Sequence, residues 1–266
     1  MLYCIMAAVS DVRHPQGYQA RGIVTVVALH EITYKSIIVS SGDTVVLKLD
    51  VYADTAIENK KKPVILFVHG GGFWEGDKRS TFYQQMATAF AQQGYVAVSA
   101  NYRLKEENEP YSKAILDTCV ADVMDAVRWI QQNGSTYRMD TTKLFICGDS
   151  AGGGIVINAS YRSENQHYFM GCIDLWGGLP SKRGWLAPIF TGSLSDTTPP
   201  TCILHGKRDR IVPVRTSLKL QKKLDTEGIP HEMHLLDKAQ HYPVERVQEI
   251  IQTIMAFTNK ILTQSQ

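Results

Sequence analysis

Short, unbroken apolar runs alternate along the chain with longer stretches in which apolar residues recur at helical spacing. The run Val64-Ile65-Leu66-Phe67-Val68, bounded by Lys62-Pro63 and His69-Gly70, has no polar face. A strand buried on both sides of a parallel sheet has this pattern. Tyr95–Ala100, Lys143–Cys147, Phe169–Trp176, Thr201–His205 and His231–Leu236 also read as strands. Between the strands, Thr81–Gln93, Tyr111–Gln132, Ala151–Tyr161, Val214–Glu227 and Val244–Leu262 read as helices. In the second of these, Ile115, Val120, Val123, Val127 and Ile130 fall near helical spacing. Gly94, Gly134 and Gly228 follow three of the helices as stop signals. Upstream, Ile32–Val39 and Val45–Tyr52 read as strands joined at Gly42-Asp43, a hairpin signal. An antiparallel entry followed by strand–helix alternation predicts an α/β fold: one mixed, mostly parallel eight-stranded sheet with helices on both faces.

No repeat, low-complexity tract or Pro/Gly/Ser linker divides the 266 residues, so 1–266 is expected to form one domain. Residues 1–30 are read as an N-terminal arm or a contribution to a cap, and 177–200 as a short cap segment. With 28 Lys+Arg against 26 Asp+Glu, the formal net charge is +2, and the basic runs Lys60-Lys61-Lys62 and Lys222-Lys223 read as solvated surface. That leaves no electrostatic footprint for nucleic acid. No apolar run approaches the roughly 18 residues of a membrane span. The five cysteines include no CxxC pair, and Cys147, Cys172 and Cys202 lie in or beside apolar strands, where they are expected as small buried hydrophobes rather than metal ligands. Leu2–Val9 is apolar, but no basic residue precedes it, so a cytoplasmic location is favoured over secretion. A homodimer is carried as an expectation.

In open α/β sheets the chemistry sits in loops at the carboxyl ends of the strands. Two such loops stand out. Gly148-Asp149-Ser150-Ala151-Gly152 lies between a strand and a helix, the context that G-x-S-x-G needs to thrust a serine hydroxyl out of a tight turn. A phosphate loop would end in Gly-Lys-Ser/Thr, whereas here the chain continues Gly153-Gly154-Ile155. Ala151 then carries an amide at a helix N-terminus, aimed where an oxyanion would form. His69-Gly70-Gly71-Gly72-Phe73 follows the earlier apolar strand, and its glycines leave backbone N–H groups unobstructed. Gly71 and Gly72 are the expected donors to the same oxyanion, with His69 holding the loop.

A serine is a weak nucleophile unless an imidazole takes its proton and a carboxylate orients that imidazole. Of the histidines after Ser150, His167 precedes any plausible acid loop and His205 ends a strand, while His231 and His234 lie inside the last strand. His241 follows that strand in Lys238-Ala239-Gln240-His241-Tyr242, so position selects it as the base. His231-Glu232-Met233-His234 has the wrong spacing for a helical zinc motif, and no metal is expected. For the acid, Asp209 lies in a strand-end loop, whereas Asp174 reads as interior to its strand and Asp196 as surface. Asp209 is the expected partner of His241.

With these residues the chain resembles the α/β-hydrolase superfamily, in particular the hormone-sensitive-lipase-like carboxylesterases and their compact bacterial branch, which includes acetyl-xylan and feruloyl esterases. The resemblance runs from about Ile32 to Phe257 and includes Leu49-Asp50-Val51-Tyr52 and Asn101-Tyr102-Arg103-Leu104. It implies an α/β-hydrolase fold with structural roles for Asp122 and Asp140. It also implies cofactor-free hydrolysis of a small-molecule ester through a Ser150–His241–Asp209 triad and an acyl-enzyme. Phe73, Trp74, Tyr102, Trp176 and Trp185 are expected to wall the substrate pocket. Lys207-Arg208 depart from the family pattern, and the short 177–200 segment leaves no room for a large lid. Acyl groups of about acetyl to butyryl length are therefore expected. A serine peptidase of the prolyl-oligopeptidase type and a non-catalytic ligand-binding relative are the alternatives.

Overall fold

The computed structural model describes residues 3–5, 25–38, 42–54, 60–178 and 192–264. The strands among these residues form one nine-stranded sheet in the order β1-β2-β3-β5-β4-β6-β7-β8-β9. The eight expected strands are β2 (Val26–Ile38), β3 (Thr44–Asp54), β4 (Lys62–Val68), β5 (Val96–Ala100), β6 (Met139–Asp149), β7 (Gly171–Leu175), β8 (Thr201–Gly206) and β9 (His231–Leu236). The ninth is the three-residue β1, Tyr3–Ile5, which pairs antiparallel to β2 at the sheet edge. Strands β1, β2 and β3 are joined antiparallel, β3 pairs antiparallel with β5, and β5 through β9 run parallel. Strand β2 starts earlier than its apolar pattern suggested, because register shifts at Leu29/Ile32 and Thr33/Lys35 break the alternation.

Among the described residues, five helices cover both faces: α1 (Thr81–Gln92), α2 (Lys113–Asn133), α3 (Ala151–Tyr161), α4 (Arg215–Thr226) and α5 (Val247–Gln264). Strand β4 shows why its run is continuously apolar. Val64, Leu66 and Val68 face a core shared with α2, α3 and α4, while Ile65 and Phe67 face a second core shared with α1 and α5. Ser80 and Ser112 cap α1 and α2 by accepting the amides of Tyr83 and Ile115. Gly94 and Gly228 take positive φ just past α1 and α4, a conformation that side-chain-bearing residues resist. The last helix begins later than its pattern indicated, since Val244–Arg246 forms a 3-10 turn before α5.

Asp122 is fully buried in α2 and receives Arg103 Nε and Nη2 at 2.7 and 2.8 Å and Lys35 Nζ at 2.7 Å. Those bonds tie α2 to β2 and to the segment after β5. Asp140 accepts the Thr142 hydroxyl at 2.6 Å at the start of β6. Cys119, Cys147, Cys172 and Cys202 are buried free thiols. Burial pushes the Cys119 and Cys172 thiols up to about 12, so at neutral pH they pack as hydrophobes. Among the described residues no helix is long and apolar enough to cross a membrane.

Candidate active site

Strand β6 ends at Asp149 and α3 begins at Ala151, leaving Ser150 alone in the turn at φ 50° and ψ −114°. That backbone is strained for any residue with a Cβ, and it holds the hydroxyl clear of both elements. The neighbouring glycines make the turn sterically feasible. A Cβ at Gly148 would lie 2.4 Å from the Gly152 carbonyl oxygen, and one at Gly152 would lie 2.1 Å from that of Val68.

Three chain-distant side chains meet at this turn. His241 Nε2 lies 2.9 Å from Ser150 Oγ, and His241 Nδ1 lies 2.7 Å from Asp209 Oδ2. A carboxylate oxygen can only accept, so Nδ1 carries the ring proton and the Nε2 lone pair faces the serine hydroxyl. Asp209 Oδ1 accepts the amides of Ile211 and Val212, each at 2.9 Å. Burial works to raise the Asp209 carboxyl, but hydrogen bonds from His205 and His241 and the backbone amides outweigh it and hold the group well below its ordinary range. Asp174, the competing acid, is instead buried in β7, where its oxygens accept the amides of Gly177 at 3.0 Å and Gly178 at 2.8 Å.

The loop after β4 closes over the serine from the other side. Gly71 and Gly72 take φ 107° and 60°, and a Cβ at Gly71 would collide with the Glu75 carbonyl oxygen at 2.1 Å. The Gly71 carbonyl accepts the amides of Trp74 and Glu75. Among the described residues, the amides of Gly71, Gly72 and Ala151 make no backbone hydrogen bond and are free to donate. The loop is anchored to the serine turn: Asp149 Oδ1 accepts the Gly70 amide at 2.6 Å and the Tyr83 hydroxyl at 2.6 Å. His69 Nδ1 donates to the Gly70 carbonyl at 2.7 Å, and its ring stacks on Tyr102 at 4.5 Å between centroids. Burial lowers the affinity of His69 for a second proton and raises that of Asp149 for its first. At the far end, buried Lys78 reaches Glu31 Oε1 at 2.6 Å, and hydrogen bonds from Lys48 and Lys78 hold the Glu31 carboxyl down to about 2.

Ser150 and His241 open into a pocket of about 690 Å³. Trp74 lines it, but three other expected wall residues do not. Phe73, at φ 70°, turns its ring into the core against Tyr111. Tyr102 is buried with its hydroxyl on the His69 carbonyl at 2.9 Å, and Trp176 is fully buried beside Phe82. These rings lie in or beside the loops that follow strands, where a positive φ or a backbone acceptor decides the direction of the ring. Trp185 lies outside the described residues, as does most of the expected 177–200 cap. The pocket also uses Arg210, Ile211 and Tyr242, which sequence reasoning missed. The available signal was adjacency, since Arg210-Ile211 follow Asp209 and Tyr242 follows His241. Among the described residues no group of three His, Cys, Asp or Glu side chains is placed to hold a metal ion.

Sheet order, the turn at Ser150 and the glycine loop after β4 fit the α/β-hydrolase fold. The BD-FAE family model matches residues 49–174, and that of the prolyl oligopeptidase family matches residues 181–265. Esterase LipI of Mycobacterium tuberculosis (strain ATCC 25618 / H37Rv) is 34% identical over 114 residues, covering 42% of this chain and 32% of its own. Tuliposide A-converting enzyme b1 of Tulipa gesneriana is 30% identical over 154 residues, covering 54% and 39%. The chain thus spans well under half the length of these curated relatives. Among solved structures, MGS-M1, an alpha/beta hydrolase enzyme from a Medee basin deep-sea metagenome library, aligns with a TM-score of 0.72 at 19% identity, over 89% of this chain and 98% of its own. The propionate-bound esterase Est2 of Thermogutta terrifontis aligns with a TM-score of 0.69 at 22% identity, over 88% and 94%. The chain has the α/β-hydrolase fold.

Proposed function

We propose that the protein is a serine carboxylesterase acting on short-chain acyl esters. The observation that carries this reading is the continuous hydrogen-bonded line from Ser150 Oγ through His241 to Asp209 at 2.9 and 2.7 Å, in a pocket that Gly71 and Gly72 also line. In this reading Ser150 attacks the ester carbonyl while His241 takes its proton, and Asp209 steadies the imidazolium. The amides of Gly71, Gly72 and Ala151 receive the oxyanion, an interaction worth about 10²–10³ in rate per donor. His241 then protonates the leaving alcohol. Water, activated by the same imidazole, releases the acyl group from Ser150.

The pocket lining supports a short acyl group. Trp74, Ile211 and Tyr242 give apolar surface, but Glu75, Asp77, Ser80 and Arg210 share the walls. A long acyl chain binds through buried methylenes, about 0.8 kcal/mol each, and gains little against charged walls. The propionate in the Thermogutta structure is consistent with this size class. Rates for p-nitrophenyl esters from acetate to decanoate test the proposal. The expected result is a maximum between acetate and butyrate that is abolished in Ser150→Ala. Faster hydrolysis of decanoate would overturn the size class, and full activity in Ser150→Ala would overturn the mechanism. The match of residues 181–265 to the prolyl oligopeptidase family supports a second reading as a peptidase, which a matched peptide p-nitroanilide separates from the first.

A further inference from the structure

We infer that His205 is a positioning residue of this site, sharing the Asp209 carboxylate with His241 and limiting how strongly that carboxylate draws the His241 proton. The inference rests on the esterase reading above. His205 is the penultimate residue of β8, beneath the Asp209 loop, and is fully buried. Its Nε2 lies 2.8 Å from the Val212 carbonyl oxygen and 3.2 Å from Asp209 Oδ2, the same oxygen that His241 Nδ1 meets at 2.7 Å. Carbonyl and carboxylate oxygens only accept, so Nε2 of His205 bears a proton. Nδ1 of His205 faces the Ser217 hydroxyl of α4 at 2.7 Å, and that hydroxyl donates to a neutral ring. The imidazole is thereby held on three sides, with no freedom to present its other nitrogen to Asp209.

The consequence follows from how carboxylates respond to donors. Each hydrogen bond to the charged form disperses its negative charge and weakens its hold on the next donor. Asp209 receives two amides on one oxygen and the His241 imidazole on the other, and the His205 Nε2–H, bonded to the Val212 carbonyl, lies 3.2 Å from that second oxygen. Removing the His205 donor concentrates charge on Oδ2 and makes the His241 imidazolium harder to deprotonate. A loop-packing role alone predicts the opposite sign, because a loosened Asp209 stabilises the imidazolium less. Other charged groups near the pair are Asp174 facing His205, Asp149 facing His241, and Glu75, Asp77, Arg210 and Tyr242 around the pocket. All of them stay in place when His205 is changed.

The test compares His205→Asn and His205→Gln with the wild-type protein. An Asn amide reaches toward Ser217 but stops short of Asp209, whereas a Gln amide nitrogen takes the place of Nε2. In His205→Asn the acid limb of the kcat/KM profile is expected to move to higher pH by roughly half a unit to one unit. The His241 ring resonances should titrate in step. In His205→Gln both should return toward wild type. An acid limb that is unmoved or lowered in the Asn variant, or a Gln variant displaced as far as the Asn variant, would overturn the inference. The wild-type protein provides a test that needs no variant to fold: ¹⁵N histidine spectra should show His205 protonated at Nε2 throughout the acid limb, and an Nδ1–H tautomer would refute the inference directly. These spectra need no turnover, so absent Ser150-dependent hydrolysis would count against the esterase reading without being confused with failure of the His205 assignment.

Discussion

Asp149 offers the sharpest perturbation of the site, because its buried carboxylate joins the serine turn to the glycine loop. Asp149→Ala removes the acceptor of the Gly70 amide at 2.6 Å and of the Tyr83 hydroxyl at 2.6 Å. Tyr83 keeps an alternative partner, the Val68 carbonyl oxygen at 2.9 Å, so only the Gly70 amide is stranded. An unsatisfied buried donor costs about 1–3 kcal/mol. The small cavity left by the carboxyl adds to this, giving roughly 2–3 kcal/mol in total. For a chain of this size that lowers Tm by roughly 5–10 °C. The freed Gly70 also releases Gly71 and Gly72, the oxyanion donors of the proposed mechanism, and a misplaced donor costs about 10²-fold in kcat with a smaller effect on KM. Asp149→Asn keeps an oxygen at Oδ1 and removes a carboxyl whose ionisation burial already opposes, so it should stay close to wild type in Tm. Thermal melts and ester kinetics on the three proteins measure both effects. The reasoning fails if the Ala variant melts within about 1 °C of wild type, or if Asn is as damaging as Ala.

Gly152→Ala should abolish ester hydrolysis and lower Tm strongly, because the added Cβ meets the backbone oxygens of Val68 and His69 at 2.1 and 2.6 Å and neither can move alone; circular-dichroism melts and rates check it. Trp74→Ala should raise KM severalfold with kcat little changed, since Trp74 lines the pocket and takes no part in the Ser150–His241–Asp209 hydrogen bonds; steady-state kinetics on butyrate and acetate esters separate the two constants. Asp209, depressed below 3.8, contributes stability that is present above that value and lost as pH falls below it. Wild type should therefore lose more Tm than Asp209→Asn between pH 5 and about 2. Asp174 works in the opposite sense: burial pushes its carboxyl up to about 6, so its contribution is fully present below 3.8 and lost as pH rises through about 6. Melts of wild type and Asp174→Asn from pH 4 to 7 should show the difference shrinking with rising pH.

The sequence alone determined what depends on neighbours along the chain. The both-faces burial of β4 was written in Val64–Val68, and the serine turn in Gly148–Gly152, because periodicity and steric need at a tight turn are local properties. Chain order and loop position also singled out Asp209 and His241, which the fold then brings into hydrogen-bond contact across 32 residues. What only the tertiary structure decided was the direction of each side chain once the loops met. Phe73 and Trp176 carry positive φ and send their rings into the core, a backbone choice that no residue pattern announces. Ile211 and Tyr242 reach the pocket because the Asp209 and His241 loops fold against Ser150, and His205 reaches Asp209 because the Asp209 loop curls back over the end of β8. Contacts of that kind are set by packing between elements distant in the chain, where a small change in backbone direction moves a ring from pocket to core.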